Sequence, residues 1–380
     1  MPLIGVFLQE HRWRYDAIGI ATASAGLGTL LLQTPAGILT DRISSRRLLF
    51  AVAAILTGIC YSIIPFLPNS HRFVDTFLFT SGAAQSFFAP LLGALALALV
   101  GHELLNKIAG QNQGWNHAGN IAAAVAAIGL VKIFNVSTVF FAVGACSLLA
   151  AASVLLIRSD DLDERIATGL TTSDEQMVSR KELLRDPTVL ALIIAIFLFH
   201  LANAPILPAT ALYVKKLGGS DSLMTATVLT AQTVMVPVSL LAGRYGDRWG
   251  RKPVMGIAFW FLPLRILSYS FVSNSNAVVW LQALDGIGAG IYGVVVISLA
   301  ADLTRGKGRF NTLAGLFATA LATGGVFGPL ISGFLLQHLG FRGTFYSFAA
   351  LALLGAVVFT VFVPETKGEE AAMQQPELAA

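Results

Sequence analysis

The sequence predicts an all-α polytopic membrane protein, and three observations indicate this class. Hydrophobic residues make up 55% of the 380-residue chain, and the mean hydropathy is +0.72. Charged residues make up 12%, roughly half of the 25% that is typical of soluble domains. Continuous apolar runs of about 20 residues, the length that crosses a bilayer as a helix, recur along the whole chain. A transmembrane β-barrel would instead show alternating segments of about ten residues.

The first part of the chain contains five apolar runs that predict complete membrane spans, which we number from 2. Each run ends at a polar or charged loop, because the hydrocarbon core offers no water to a charge or to non-helical backbone. The short apolar stretch before them, "MPLIGVFL", is expected to be the stub of a first span. Spans 2 to 6 are predicted at residues 17–39, 47–66, 76–100, 110–131 and 137–157.

The second part of the chain begins with a long charged stretch at residues 158–187, which predicts a cytoplasmic linker. Six further apolar runs predict spans 7 to 12, and a polar tail follows them. These spans are predicted at residues 188–213, 223–242, 253–272, 277–301, 311–336 and 343–363. The expected domains are an N-terminal bundle at 1–157, the linker at 158–187, a C-terminal bundle at 188–363 and a tail at 364–380.

The loop charges predict the orientation of the spans. The loops after spans 2, 4, 6, 8 and 10, together with the tail, hold most of the 25 lysines and arginines. Cytoplasmic loops carry such an excess, so the linker and the C-terminus are expected in the cytoplasm of a multi-pass protein of the cell's inner (plasma) membrane. This topology explains the net charge of +4, which therefore does not indicate a nucleic-acid partner.

A short motif occurs twice in the same setting. "GILTDRISSRR" closes span 2 and "GRYGDRWGRK" closes span 8. An even number of spans separates the copies, so both lie on the same side of the membrane and the halves form a parallel repeat. In the register of the repeat Met1 falls on Leu207, inside span 7, so eleven complete spans and an N-terminal stub are expected. A truncated first span is favoured, and a genuine eleven-span protein is the alternative. The matching positions are Gly37, Asp41, Arg42 and Arg46 in the first copy and Gly243, Asp247, Arg248 and Lys252 in the second.

The paired loops resemble the signature loops of the major facilitator superfamily, a family of secondary transporters. "GLFATALATGGVFGPLISG" at 315–333 is similar to the Gly-rich antiporter motif of the family, and "PETKG" at 364–368 resembles the ending of many members, sugar porters especially. The resemblance implies two six-helix bundles that rock around a central site and give alternating access. It also implies that the eight motif residues form a conformational latch on the cytoplasmic side.

The two aspartates of the motif have a physical use that the arginines alone do not explain. A helix N-terminus has unsatisfied N–H groups and the positive end of the helix dipole, so it favours a carboxylate. Asp41 is expected near the start of span 11, and Asp247 could occupy the start of span 5 in the same way. The alternative is a purely topogenic role, in which any cluster of arginines would hold the loops inside.

Charged residues inside spans are the best candidates for a transport site. Each costs about 2.5–3.5 kcal/mol at the bilayer centre on insertion scales, so it marks a function. Arg265 in span 9 and Asp285 in span 10 lie equally far from the turn near Ser275, which places them at the same depth. A structural salt bridge is the plain interpretation. In the family span 10 lines the central cavity, so Asp285 is alternatively a proton-coupling carboxylate.

Polar residues inside other spans complete the candidates for substrate or proton binding. His200 and Asn203 lie in span 7, where Pro205 loosens the helix, and His200 could be either a packing residue or a proton site. A stripe of amides runs along one face of span 5 and either bridges helices or lines a wet cavity. The amides are Asn112, Asn116 and Asn120, and weaker candidates are Gln85, Gln232 and Tyr292, which are residue types that also bridge helices.

No pattern in the chain indicates an enzyme. "GAGIYG" at 288–293 spells a dinucleotide-binding fingerprint, but it lies inside span 10 and lacks the preceding strand that such a site needs. Cys60 and Cys146 lie inside apolar runs and predict neither a disulfide nor a metal site. No cofactor and no metal are therefore expected.

The residues and the resemblance together predict a secondary active transporter of a small organic solute, coupled to protons, with efflux slightly favoured. The alternatives are an uptake permease for a sugar or an organic acid, and a non-transporting membrane sensor or scaffold on the same fold. The expected partners are the solute, protons and the lipid bilayer. The chain is expected to act as a monomer.

Overall fold

The computed structural model describes residues 2–13, 15–67, 70–171 and 177–367. Helices account for nearly all of this part of the chain, and no strand occurs within it, so the all-α fold class is confirmed. The helices are α1 (Pro2–Glu10), α2 (Tyr15–Arg42), α3 (Arg46–Ile63), α4 (His71–Gln85), α5 (Phe88–Ile133), α6 (Val136–Leu155), α7 (Arg180–Leu183), α8 (Pro187–Asn203), α9 (Ile206–Lys216), α10 (Asp221–Trp249), α11 (Arg251–Tyr269), α12 (Ser275–Thr304) and α13 (Phe310–Phe362).

Two of these helices are too long to be single spans, and each is broken at a glycine. The 53 residues of α13 would measure about 80 Å at 1.5 Å per residue, against a hydrocarbon core of about 30 Å. Gly340 in α13 has a φ of 65°, and Gly101 in α5 has a φ of 68°. Glycine adopts this region without the steric cost that a Cβ brings. Each of the two helices therefore contains residues of two successive spans.

The described residues contain the eleven passes that the apolar runs predict. Seven helical segments are long and apolar enough to cross a membrane, and the breaks at Gly101 and Gly340 divide two of them. The 28 residues of α2 and the 19 residues of α11 supply the remaining two passes. The short α1 precedes them, in the region where the sequence predicted a stub.

Prolines account for two interruptions inside spans. Pro90 lacks an N–H, and its ring would clash with the carbonyl group of Ser86 in a continuous helix. Span 4 is accordingly divided between the end of α4 at Gln85 and the start of α5 at Phe88. Span 7 is divided at Pro205, between α8 and α9, which is where the sequence predicted a loosened helix.

The chain forms two compact units. Unit 1 comprises Met1–Leu99, Ala122–Glu175 and Gly308–Ala322, and unit 2 comprises Val100–Ile121, Gln176–Lys307 and Thr323–Ala380. The predicted bundles at 1–157 and 188–363 supply most of unit 1 and unit 2, respectively. Each unit also takes a helical piece from the other sequence repeat, because unit 1 includes the start of α13 and unit 2 includes the middle of α5.

Each unit has its own buried core. In unit 2 the core is aromatic, and the rings of Phe259 and Phe359 are stacked at 4.4 Å. Tyr269, also fully buried, lies one turn beyond Arg265 on α11. In unit 1 one apolar cluster joins α1 to α4 and α6, and its members are Ile4, Phe7, Leu8, Trp13, Ala21, Tyr61, Ile64, Val74, Leu78, Val136 and Phe140. These cores fix the helices that carry the polar residues described next.

Candidate functional site

The carboxylate of Asp41 lies at the N-terminus of α13, inside unit 1. Its Oδ1 accepts hydrogen bonds from the backbone N–H of Asn311 at 3.1 Å and from the side-chain amide of Asn311 at 2.9 Å. Its Oδ2 accepts from the backbone N–H of Thr312 at 2.8 Å and from the Thr312 hydroxyl. Asp41 is 3% exposed. Helix-start N–H groups that have no partner within α13 therefore satisfy both oxygens of a buried carboxylate.

Gly37 lets α2 approach the start of α13 at close range. A Cβ at this position would collide with the carbonyl oxygen of Asn311 and would lie 3.3 Å from the Cα of Gly315. One turn before Gly37, the hydroxyls of Thr34 and Thr319 are 2.7 Å apart. A side chain at position 37 would push the helices apart, so the glycine and the aspartate of the first motif serve the same contact.

Arg46 connects this cluster to the predicted linker. Its guanidinium is buried and donates to the carboxylate of Glu164. The amide of Asn311 makes a second link by donating to the carbonyl oxygen of Ala167 at 3.0 Å. Burial raises the pKa of Glu164, and the charges of Arg46 and Arg47 offset part of that rise. The linker therefore adds a carboxylate of its own to the cluster, which sequence reasoning missed.

The second copy of the motif, in unit 2, is arranged differently. The carboxylate of Asp247 accepts from Nη1 of Arg251 at 2.7 Å, and Nε of Arg251 donates to Asp302 at 3.1 Å. The expectation that Asp247 caps the start of span 5 is therefore not met in the described residues. Ser45 stands at the corresponding position of the first copy. A serine cannot neutralise a carboxylate, so Asp41 is free to bind the helix start and Asp247 is not.

Asn106 makes the contact at the start of span 5 instead. Its side-chain amide donates to the carbonyl oxygens of Gly243 at 2.6 Å and Ala242 at 3.3 Å, and its Oδ1 accepts from the hydroxyl of Ser298 at 2.7 Å. It is fully buried. Asn106 corresponds to Thr312 in the register of the repeat, and that register is the signal by which the sequence could have identified it.

The "PETKG" segment binds the second motif within unit 2. The carboxylate of Glu365 accepts from the backbone N–H of Arg251 at 2.8 Å and of Lys252 at 3.0 Å, the first two residues of α11. The hydroxyl of Thr366 donates to Asp302 at 3.0 Å. Glu365 thus caps the N-terminus of α11. Gly250, the residue at the N-cap position, has no side chain that could do so.

Removing this cap is expected to lower the stability of the protein. An N-cap contributes about 0.5–2 kcal/mol, so Glu365→Ala should lower the thermal unfolding midpoint in detergent, and Glu365→Gln should lower it less because an amide oxygen still accepts. Glu103→Ala, which changes an exposed glutamate, is the matched control. Equal midpoints for Glu365→Ala and Glu103→Ala would contradict the assignment of Glu365 as a cap.

Inside the predicted membrane region, Arg265 on α11 has two polar partners, both in unit 2. One is the carboxylate of Asp285 on α12, to which Nη1 donates. The other is Oδ1 of Asn203, at the end of α8, which accepts from Nη2 at 2.6 Å. Nε of Arg265 has no hydrogen-bond partner among the described residues. The Arg265 side chain is 3% exposed and that of Asp285 is 16% exposed, so the carboxylate is the more accessible member of the pair.

His200 and Tyr292 lie on α8 and α12, the helices that also carry Asn203 and Asp285. Their rings are in edge contact at 4.7 Å, and Phe199 stacks on Tyr292 at 5.5 Å. Nε2 of His200 is buried and has no hydrogen-bond partner in the described part of the chain. The structure thus brings together His200, Asn203, Asp285 and Tyr292 on the facing sides of α8 and α12. The sequence selected these residues by separate arguments and did not predict that they would be neighbours.

The amides of span 5 occupy two neighbouring faces of α5 within unit 2. The predicted stripe of Asn112, Asn116 and Asn120 is exposed. The next face is bonded to other helices of the unit, because Gln113 donates to the carbonyl oxygen of Gly293 at 3.0 Å and Nδ1 of His117 lies 2.9 Å from Oε1 of Gln232. Gln232, a candidate from the sequence, is therefore placed with His117 rather than with the stripe.

The remaining predicted residues lie apart from these clusters. Gln85 bonds within its own helix, with Nε2 2.8 Å from the hydroxyl of Ser81. Arg42 and Arg248 are exposed, and their side chains have no partner among the described residues, a position that fits the topogenic interpretation.

Known proteins that resemble this chain are transporters. The family model described as Major Facilitator Superfamily matches residues 1–237 and 192–376. The MFS-type transporter Rv2456c of Mycobacterium tuberculosis is 32% identical over 372 residues, which are 96% of this chain and 89% of that protein. The multi-drug resistance efflux pump PmrA of Streptococcus pneumoniae is 22% identical over 339 residues, which are 87% of this chain and 82% of that protein.

Two solved structures share the fold. The proton:xylose symporter XylE, bound to 6-bromo-6-deoxy-D-glucose, has a TM-score of 0.73 at 17% identity and covers 93% of this chain and 87% of its own. The human organic anion transporter MFSD10 (TETRAN) has a TM-score of 0.66 at 16% identity and covers 90% of this chain and 83% of its own. At these identities the likeness concerns the fold alone.

Proposed function

Because the chain belongs to the major facilitator superfamily, we propose that it is a secondary active transporter of a small organic solute, driven by protons and working in the direction of efflux. The efflux pump PmrA, similar over most of both chains, supports this direction. The fold shared with a proton:xylose symporter supports uptake of a sugar or an organic acid as the second candidate. In both cases the protein acts by alternating access.

The observation that carries the proposal is the group formed by Arg265, Asp285 and Asn203. A charge inside a span is costly and is kept where it pairs or functions. Here the positive member is sealed and the negative member is partly accessible. A proton can therefore reach the carboxylate of Asp285 while Arg265 stays in place.

The second partner of Arg265 keeps its guanidinium in position, but does not balance its charge, when Asp285 is protonated. When Asp285 becomes neutral, the bond to Asn203 still holds the guanidinium, but its charge is no longer balanced. A buried charge without a counter-charge is strongly unfavourable. Loading of a proton on Asp285 thus favours either a new partner for Arg265 or a different conformation of the transporter, which is how proton binding becomes coupled to transport.

The two directions make opposite demands on this group. In efflux the proton and the solute replace one another at Asp285, so solute binding weakens as the pH falls. In uptake the proton prepares the site, so solute binding strengthens as the pH falls. The sign of the pH dependence of solute binding therefore separates the two candidates.

We infer that the contact of Asp41 with the start of α13 is the latch of this transporter. Four hydrogen bonds and the close approach at Gly37 support this role. The contact joins residues of the two sequence repeats within unit 1, so it can form in one conformation and open in another.

The proton role of Asp285 has a direct test. The wild-type chain is first reconstituted in proteoliposomes and screened with ethidium, xylose and citrate. The fluorescence of enclosed pyranine reports which of these solutes causes protons to cross the membrane. Asp285→Asn keeps the shape and one accepting oxygen but not the counter-charge of Arg265. We therefore expect it to fold and insert with a lowered unfolding midpoint, to lose proton-driven accumulation and to retain counterflow exchange of the solute.

A control and an opposing outcome complete this test. Asp75→Asn neutralises a carboxylate near the start of α4, in unit 1, and should retain proton-driven accumulation. Accumulation by Asp285→Asn at the wild-type level would remove Asp285 from the coupling mechanism and leave the pair with a structural role.

A further inference from the structure

A groove of about 510 Å³ runs along the outside of unit 2, between α11 and the last part of α13. Its volume is in the range of small-molecule sites. The side chains of Trp260 and Leu264, which line it, are 41% and 57% exposed. Because α11 and α13 are membrane-spanning helices, the groove opens toward lipid.

The groove is a built feature of α11 and α13. Gly256 leaves room for it, since a Cβ there would meet only the ring of Phe359, at 4.0 Å. The indole N–H of Trp260 donates to the hydroxyl of Thr360 at 3.1 Å. The polar atoms of Trp260 and Thr360 are thereby satisfied by each other, and the groove presents an apolar wall.

The one charged residue that lines the groove is Lys252, at its end near the start of α11. Its neighbour Arg251 is balanced by Asp247 and Asp302. The carboxylate of Glu365 is engaged by backbone N–H groups. The ammonium group of Lys252 makes no hydrogen bond or ion pair with any residue that the structure describes. It is therefore an unbalanced cation at the end of an apolar groove.

The length of the groove matches one leaflet of a bilayer. Lys252 and Leu264 are twelve residues apart on α11, or about 18 Å at 1.5 Å per residue. Half of the hydrocarbon core measures about 15 Å. An acyl chain that lies along the groove thus brings its headgroup to the level of Lys252.

We propose that this groove binds an anionic glycerophospholipid, with the phosphate on Lys252 and one acyl chain beside Gly256, Trp260 and Leu264. A zwitterionic lipid brings its own positive charge to the same place and gains less from the lysine. A single basic residue at a membrane surface favours an anionic lipid by about fivefold.

The test measures lipid binding to the full chain in detergent by native mass spectrometry. Phosphatidylglycerol and phosphatidylcholine with the same acyl chains are the probes, and inorganic phosphate is a third arm. We expect the wild type to favour phosphatidylglycerol about fivefold, Lys252→Gln to remove the preference, Lys252→Arg to keep it, and Gly256→Leu to weaken both lipids.

Matched variants define the results that would overturn the proposal. Lys132→Gln removes an exposed lysine of unit 1, and Gly333→Leu adds a leucine to an exposed position of α13. Equal loss of preference in Lys132→Gln and Lys252→Gln would indicate a general surface effect. Wild-type binding by Gly256→Leu, or full competition by inorganic phosphate, would exclude the acyl chain from the site. Transport does not enter this readout, so its outcome is independent of the proposed function.

Discussion

Replacing either Arg265 or Asp285 by alanine is expected to destabilise the protein by about 3–5 kcal/mol, because each change leaves the other charge buried without its partner. Arg265 is fully enclosed, so Asp285→Ala should be at least as harmful as Arg265→Ala. The double variant should recover part of the loss, since it removes both charges together. The measurement is a double-mutant cycle on the unfolding midpoint in detergent.

A further variant tests the second interaction of Arg265, its hydrogen bond to Asn203. Asn203→Ala removes the acceptor on Nη2 but leaves the ion pair, so it should cost less than Asp285→Ala. Simple additivity of Arg265→Ala and Asp285→Ala would show that the pair contributes nothing as a pair.

Replacing Asp41 is expected to impair transport strongly without preventing insertion into the membrane. Asp41→Ala leaves the backbone N–H groups of Asn311 and Thr312 buried and unpaired, and each such group costs about 1–3 kcal/mol. Asp41→Asn keeps one accepting oxygen and should fall between Asp41→Ala and the wild type. Solute flux in proteoliposomes, normalised to inserted protein, measures the effect.

The second motif provides the matched control for this prediction. Asp247→Asn removes the corresponding aspartate, but that carboxylate is bound to Arg251 rather than to a helix start. Its loss should therefore leave the start of α13 intact and reduce flux less. Equal losses in the two variants, or unchanged flux in Asp41→Asn, would leave only the topogenic role for the first motif.

The fold followed from the sequence because the bilayer restricts the choices. An apolar run of about 20 residues with polar ends can only be a helix there, and the paired motifs fixed the parallel repeat and the family. Details that depend on single residues were harder. To predict the division of span 4, Pro90 would have to be considered together with the carbonyl group four residues before it. In the 158–187 stretch, nothing in the sequence indicated that Glu164 would bind Arg46.

The polar clusters were predictable in part, and for a similar reason. Equal distance from one turn placed Arg265 and Asp285 at the same depth, since consecutive antiparallel spans are neighbours. Asn203 comes from α8, which is distant in sequence, and only the folded chain brings it to Arg265. The different partners of Asp41 and Asp247 depend on one position of the motif, which is Ser45 in the first copy and Arg251 in the second. The effect of that position is visible once the partners are known.

Unit 1 includes the start of α13, which belongs to the second sequence repeat. This has a consequence for biosynthesis. Thr312 follows Asp41 by 271 residues, and synthesis proceeds at about 5–20 residues per second. The start of α13 therefore leaves the ribosome about 15–50 s after Asp41. During that interval α2 is already made, while the N–H groups that bind its carboxylate do not yet exist. Unit 1 is thus expected to mature only when the second repeat is nearly complete, and a ribosome stalled before α13 should hold it in an unfinished, protease-sensitive form.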